Sequence, residues 1–306
     1  MIFFERVLNL FQRALSLFQR AFHRADKGPS RREPAPTPGV PPAFVLDSDL
    51  LSDVGCVRTN NEDSGRILRA PGNDGESAQL LVVADGMGGY NAGDVASALA
   101  VKTIEESYPE IRKDPERAIK RTLETANARI YKQSKENPES AGMGTTCTAL
   151  LIQGGFAYSA HVGDSRLYLL RDGGIYLMSE DHSQVMDMVR SGLLELSEVR
   201  HHPDKNVITR AIGRQPEVEV STWLQPLPLR VGDGFVVCCD GLYDDIEDNE
   251  ICDAVQGKSA SSACAELIRL AKERGGSDNI TVAVARLLPA KPPLETKVTR
   301  KMEVLQ

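Results

Sequence analysis

The chain lacks what several classes of protein need. Its 306 residues hold no apolar run long enough to cross a bilayer, and the amino terminus has no continuous apolar core of the signal-peptide kind. Six cysteines (56, 147, 238, 239, 252 and 264) form no CxxC pair; they read as small buried hydrophobes in a reducing compartment. Net positive charge is missing as well. The formal charge is -7, and because residues 1–32 carry seven Lys or Arg against Glu5 and Asp26, the remaining 274 residues sum to -12. An acidic body argues against nucleic acid as the main partner and suits a chain that gathers carboxylates around cations. The expected location is the cytoplasm.

What is present is ordinary in bulk and uneven along the chain. With 41% hydrophobic and 26% charged residues, the sequence suffices for one large domain or two small ones. In residues 1–25, "LNLFQRA" is followed at once by "LSLFQRA". On a helix, Leu8, Phe11, Leu15, Phe18 and Phe22 share one face, with Arg6, Arg13 and Arg20 opposite. Such a basic amphipathic helix suits packing on the body or on a helix partner, peripheral docking on an anionic membrane face, or a targeting presequence. Residues 26–43 are a Pro-rich linker, residues 44–288 one folded unit, and residues 289–306 a polar tail.

Within the folded unit, Gly154-Gly155 and Asp172-Gly173-Gly174 separate apolar β-rich runs and predict an antiparallel meander. Helices are predicted over Asn91–Tyr108 and Asp114–Lys135, with Asn91 and Asp114 as caps and Pro115 at a first helical position. Further helices are expected over 183–192, 249–255 and 259–274, and strands over 235–239 and 280–287. Strands and helices arriving in blocks imply an α+β fold with mainly antiparallel sheets.

The chemistry is carried by acids at strand ends. "LLVVADGMGG" runs from an apolar stretch straight into Asp85-Gly86, and "FVVCCDGLYDD" does the same at Asp240. "HVGDSR" places Asp164 after another apolar run, and "GGSDNITVAVA" places Asp278 just before one. A single Asp-Gly is a turn signal; four such junctions suggest that a rigid sheet aims carboxylates into one cleft. Clustered carboxylates repel each other unless cations fill the space, and oxygen donors without His or Cys select hard ions such as Mg²⁺ or Mn²⁺. The carbonyl of Gly86 is a further candidate ligand. Two such ions favour hydrolysis at phosphorus. "DVGCVRTNNEDSG" adds Arg58, whose guanidinium can fork onto a phosphate and touch substrate alone, together with Glu62 and Asp63.

The ordered motifs "DVGCVRTNNED", "VVADGMGG", "GMGTTCTALL", "HVGDSRLYLLR", "DHS", "NVITRAIG", "CCDGLYD" and "GGSDNITVAV" resemble the metal-dependent PPM (type 2C) protein phosphatases in their compact bacterial form. The resemblance spans about residues 45–288. It implies a sandwich of two antiparallel sheets flanked by helices, a Mn²⁺ or Mg²⁺ pair in a cleft at one edge, and phosphoserine and phosphothreonine proteins as substrates, the products of a serine/threonine kinase. By the same resemblance Asp85 bridges the metals, Gly86 lends its carbonyl, Asp240 and Asp278 hold the second ion, and Glu62 and Asp63 act through water. Asp164, Asp240 and Asp244 match a third-metal site, Arg58 holds the substrate phosphate, and residues 181–221, with Met186, Met188 and "VRHHPDKN", match a flap that reads the substrate protein.

Two departures are visible. Animal-type relatives carry a His where this chain has Met87, which leaves the general acid unassigned; many bacterial relatives carry His and Glu where this chain has Tyr90 and Asp94, neither of them a metal ligand. His161 and His182 read as hydrogen-bonded structural residues. The alternative function is a catalytically inactive scaffold on the same fold, tethered by the amino-terminal helix. Such proteins typically lose a metal carboxylate, and none is missing here. A two-metal phosphodiesterase or nuclease is disfavoured by the absent basic groove.

Overall fold

A computed structural model of the chain describes residues 44–70, 78–88 and 92–290. The predicted helix of residues 1–25, the linker of 26–43, the Asn91 cap, Tyr90 and the tail beyond Ala290 lie outside the described residues. The described chain forms two units, residues 184–205 and a larger body of 44–183 and 206–290.

The body is built on two sheets, and every named strand pairing in them is antiparallel. Its strands are β1 (Phe44–Asp53), β2 (Asp63–Ala70), β3 (Ala78–Met87), β4 (Gly144–Thr145), β5 (Cys147–Gln153), β6 (Phe156–Val162), β7 (Arg166–Arg171), β8 (Gly174–Leu177), β9 (Ser221–Thr222), β10 (Leu227–Pro228), β11 (Gly234–Cys238) and β12 (Ile280–Pro289). One sheet runs β1-β12-β11-β7-β8 and the other β10-β6-β5-β3-β2, with β4 on β3 and β9 on β6.

Both faces of the central strands are covered, which is why they read as unbroken apolar runs. Side chains alternate across a strand. Leu80, Val82 and Ala84 of β3 join the core formed with helices α1 (Ala92–Lys113) and α2 (Pro115–Glu136), whereas Leu81 and Val83 join the core between the sheets. In β11, Phe235 and Val237 face the sheet-to-sheet core. Val236 and Cys238 face helices α4 (Asp240–Tyr243), α5 (Asp248–Val255) and α6 (Ala260–Glu273). Four layers result, and each fully buried Leu, Val or Phe contributes about 1.5–3 kcal/mol.

The structure departs from the sequence expectations at four places. The helix expected to stop at Tyr108 continues through Pro109 to Lys113; Ile111 is fully buried one turn later, and its burial offsets the lost hydrogen bond. Asp114 stands before Pro115, but its side chain makes no capping hydrogen bond. The expected meander is split, with the β5–β6 hairpin in one sheet and the β7–β8 hairpin in the other, so the "HVGDSR" segment is a crossing between sheets. The first hairpin turns at Gly154-Gly155, the second at Asp172-Gly173, all with positive φ. Finally, Cys56 is exposed, whereas the other five cysteines are buried and all six are free.

The smaller unit holds α3 (Gln184–Arg190), which carries Met186 and Met188, and a 3-10 turn over Leu196–His201. A reciprocal capping box between Glu195 and Glu198 opens that turn.

Candidate functional site

Register brings the acids together. β3 ends where β2 begins, and Asp63 stands directly opposite Asp85. β5 starts beside the end of β6, with Cys147 opposite Val162, so the crossing that holds Asp164 leaves the sheet at the same edge. In the second sheet Cys238 pairs with both Arg166 and Val282, which sets Asp240, at the start of α4, beside the loop that precedes β12 and carries Asp278. One edge of the sandwich thus collects Asp63, Asp85, Asp164, Asp240 and Asp278 from both sheets.

Asp85 sits on a fixed backbone. The amide N–H of Asp85 donates to Thr146 Oγ1 at 2.9 Å, and its carbonyl accepts from Thr145 Oγ1 at 2.8 Å and from the Thr146 N–H at 2.9 Å. Gly86 is tightly enclosed: a Cβ there would lie 2.1 Å from the Gly93 carbonyl oxygen and 2.4 Å from that of Glu62. Only glycine permits this approach of strand, helix and loop. The Gly86 N–H donates to the Glu62 carbonyl at 3.1 Å, and Ser97 of α1 donates to the same carbonyl at 2.6 Å.

The electrostatics are those of crowded anions. Burial first, then the charges of Asp240, Asp63, Asp164 and Asp278, push the Asp85 carboxyl well above the ordinary range. Burial followed by Asp240 and Asp181 does the same at Asp164. Asp63 is raised to about 6, chiefly by burial, and Asp240 to about 7 by burial and then the charges of Asp244, Asp278 and Asp63. Glu62 is raised by burial and by Asp94. Asp63 Oδ2 and Asp240 Oδ1 are buried without a hydrogen-bond partner. Among the described residues no three Asp, Glu, His or Cys side chains close into a finished ligand set; the acids share the edge as mutually repelling charges. Orphaned anionic oxygens and an all-oxygen donor set suit hard divalent cations.

Arg58, expected to face substrate alone, also touches this edge. Its Nη2 donates to Asp278 Oδ2 at 2.8 Å, with the Arg58 side chain 53% exposed. Asp244 closes the short α4 turn, its N–H bonded to the Asp240 carbonyl at 2.9 Å. His161 and His182 stack with centroids 4.8 Å apart. His161 is bound to Thr148 and the Glu180 carbonyl, and burial holds it down at about 4. His182 Nδ1 accepts from the Gly163 N–H at 3.0 Å, so both rings are hydrogen-bonded.

Sequence reasoning missed Asn279. Its Oδ1 accepts from the Glu62 N–H at 2.8 Å, while its Nδ2 donates to the carbonyls of Val54 at 3.0 Å and Asn60 at 2.9 Å. Its own N–H donates to Asp278 Oδ1 at 2.8 Å. One amide therefore fastens the Arg58 loop to the Asp278 turn. The only signal was its place beside Asp278.

The chain is similar to known proteins in sequence and in fold. Residues 59–283 match the family Protein phosphatase 2C. The serine/threonine phosphatase stp of Listeria monocytogenes is 33% identical over 243 residues, covering 78% of this chain and 94% of the relative. The crystal structure of the Mycobacterium tuberculosis serine/threonine phosphatase PstP superposes with a TM-score of 0.73 at 36% identity, over 80% of this chain and 100% of the other. A PstP catalytic domain in complex with two manganese ions gives a TM-score of 0.68 at 34% identity, covering 80% of this chain and 100% of that one.

Proposed function

The chain belongs to the Protein phosphatase 2C family and is a metal-dependent serine/threonine phosphatase; on that premise we propose that the acid-lined edge around Asp85 is its active centre. The observation that carries this reading is the pair of partnerless buried oxygens on Asp63 and Asp240, set beside Asp85 and Asp164, with burial and neighbouring charge driving all four of these carboxyls upward.

Asp85, the Gly86 carbonyl, Asp240 and Asp278 would hold two Mn²⁺ or Mg²⁺ ions, with Glu62 and Asp63 acting through water, and Asp164, Asp240 and Asp244 would serve a third. Bound ions supply an activated water and positive charge for in-line displacement at phosphorus. The protein's own part is positioning. Arg58 presents the guanidinium N–H groups not used on Asp278 to the substrate phosphate. Asn279 holds the loop that carries Arg58 and Glu62. The Thr145 and Thr146 contacts keep Asp85 from moving as charge develops. Substrates are phosphorylated proteins, and we assign them to a serine/threonine kinase. Among the described residues no helix is long and apolar enough to cross a membrane. The 1–25 repeats support a peripheral attachment at the cytoplasmic membrane face, which liposome flotation of the full chain against a chain lacking residues 1–28 would test.

The deciding experiment is phosphate release from a phosphothreonine peptide with Mn²⁺, with Mg²⁺ and with excess chelator. Wild type should turn over only with metal. Asp85→Asn and Asp240→Asn should lose at least about 100-fold in kcat while melting as folded proteins. Full turnover by either variant would remove the assignment of these acids. No turnover by folded, metal-loaded wild type would favour the scaffold alternative.

A further inference from the structure

Beside the end of β3 runs an open groove of about 290 Å³, lined by Met87, Ile208, Arg210, Ala211, Arg214 and Val218 among others. Met87 lies two residues beyond Asp85, so the groove begins where the strand leaves the acid-lined edge. We propose that this groove receives the residues flanking the phosphorylated side chain, and that Arg214 selects segments with an acidic residue there. The proposal rests on the phosphatase reading above and names the substrate class of that same site.

The groove wall is exposed yet firmly held. Thr145 and Ile212 exchange both backbone hydrogen bonds, at 3.0 and 2.8 Å, and Thr145 Oγ1 reaches the Asp85 carbonyl. On the other side Asn127 of α2, 1% exposed, gives its whole amide to the turn. Its Oδ1 accepts from the Gly213 N–H at 2.7 Å, and its Nδ2 donates to the carbonyls of Gln215 at 3.0 Å and Pro216 at 3.2 Å. Gly213 has φ +88, and a Cβ there would lie 2.1 Å from Ile130 Cγ2. The position of residues 212–216 relative to Asp85 is therefore set by the fold, as recognition of a fixed distance from the phosphate requires.

The charges differ in kind. Arg210 is neutralised by Glu219 at 2.9 Å. Arg214 lies exposed across Gly144, and its Nη1 donates to the Gly142 carbonyl at 2.6 Å. Among the described residues no carboxylate pairs with it. A guanidinium steadied by one carbonyl, with its other donors unused, is matched by a carboxylate or a second phosphate on the incoming segment. The apolar floor of Met87, Ile208, Ala211 and Val218 suits the stem of such a residue. Glu217 also lines the groove and repels acid near itself, so the preference depends on which side of the phosphorylated residue the acid lies.

The test uses the full chain with Mn²⁺ and phosphothreonine peptides that differ only in Glu or Gln at the three positions before, or the three after, the phosphothreonine. Wild type should favour Glu over Gln on one side by about tenfold in kcat/KM. Arg214→Ala should bring that ratio to about one, and Arg214→Glu should invert it; because each ratio is taken within one protein, loss of folded or metal-loaded enzyme cancels. If the Ala variant fails to fold, Arg214→Gln makes the same comparison. A wild-type ratio below about threefold on both sides, or one that persists in the variant, overturns the proposal. Hydrolysis of p-nitrophenyl phosphate by wild type is the separate check, since its failure would sink the phosphatase reading itself.

Discussion

Asn279 contributes a fastening in place of a ligand. Asn279→Ala would leave the Glu62 N–H and the Val54 and Asn60 carbonyls without a partner. We expect a loss of about 1–3 kcal/mol in stability and a fall in kcat beyond what the melting curve explains, read by phosphate release at a temperature where the variant is fully folded. Wild-type kcat in a destabilised variant would show the loop to be held by other contacts. The acids were legible in the sequence, since a carboxylate ending an apolar run breaks the local rule that strands bury apolar groups. Asn279 was not legible as a fastening, because its partners lie 217 to 225 positions away and nothing in its own neighbourhood marks them. Arg58 was legible as a cation among acids; its pairing with Asp278 was not.

At the scale of elements, periodicity and turn chemistry gave most of the hairpins and helices, and the errors have physical causes. β1 went unassigned because Ser48 interrupts the alternation of Phe44, Leu46 and Leu50, which face the core between the sheets; Ser48 is accommodated by its hydrogen bond to Gln79. The apparent meander was divided because hairpin spacing fixes pairing within each hairpin and says nothing of which sheet the next one joins. In α1, Pro109 marked a helix end that burial of Ile111 overrides. Pro109→Ala should therefore raise stability by about 1–2 kcal/mol, below the full cost of an interior proline because the freed unfolded chain gains entropy. Denaturant midpoints would show it, and a lower midpoint would mean that the ring packs better than the restored hydrogen bond.

Across the whole molecule, the two sheets close so that anions from both meet at one edge, and that edge opposes folding until cations arrive. The effect has a sign that can be worked out. Asp63 and Asp240 ionise near pH 6 and 7 in the folded chain, whereas in an unfolded chain Asp ionises near pH ~4. Between these limits the folded state binds more protons, so stability of the metal-stripped protein falls as pH rises, by up to about 1.4 kcal/mol per pH unit for each group. Melting in chelator should follow this slope from pH 5 to about 7, and Asp240→Asn should flatten it; an equal slope in both would assign the dependence elsewhere. A consequence for the loaded enzyme follows from the same acids. Each arriving cation displaces hydrogen ions that the cleft was holding, so at pH 6 metal uptake is an exchange of one positive species for another. Titration calorimetry at pH 6 in two buffers of unlike ionisation heat should give apparent enthalpies that diverge, and equal enthalpies there would mean that metal uptake releases no protons.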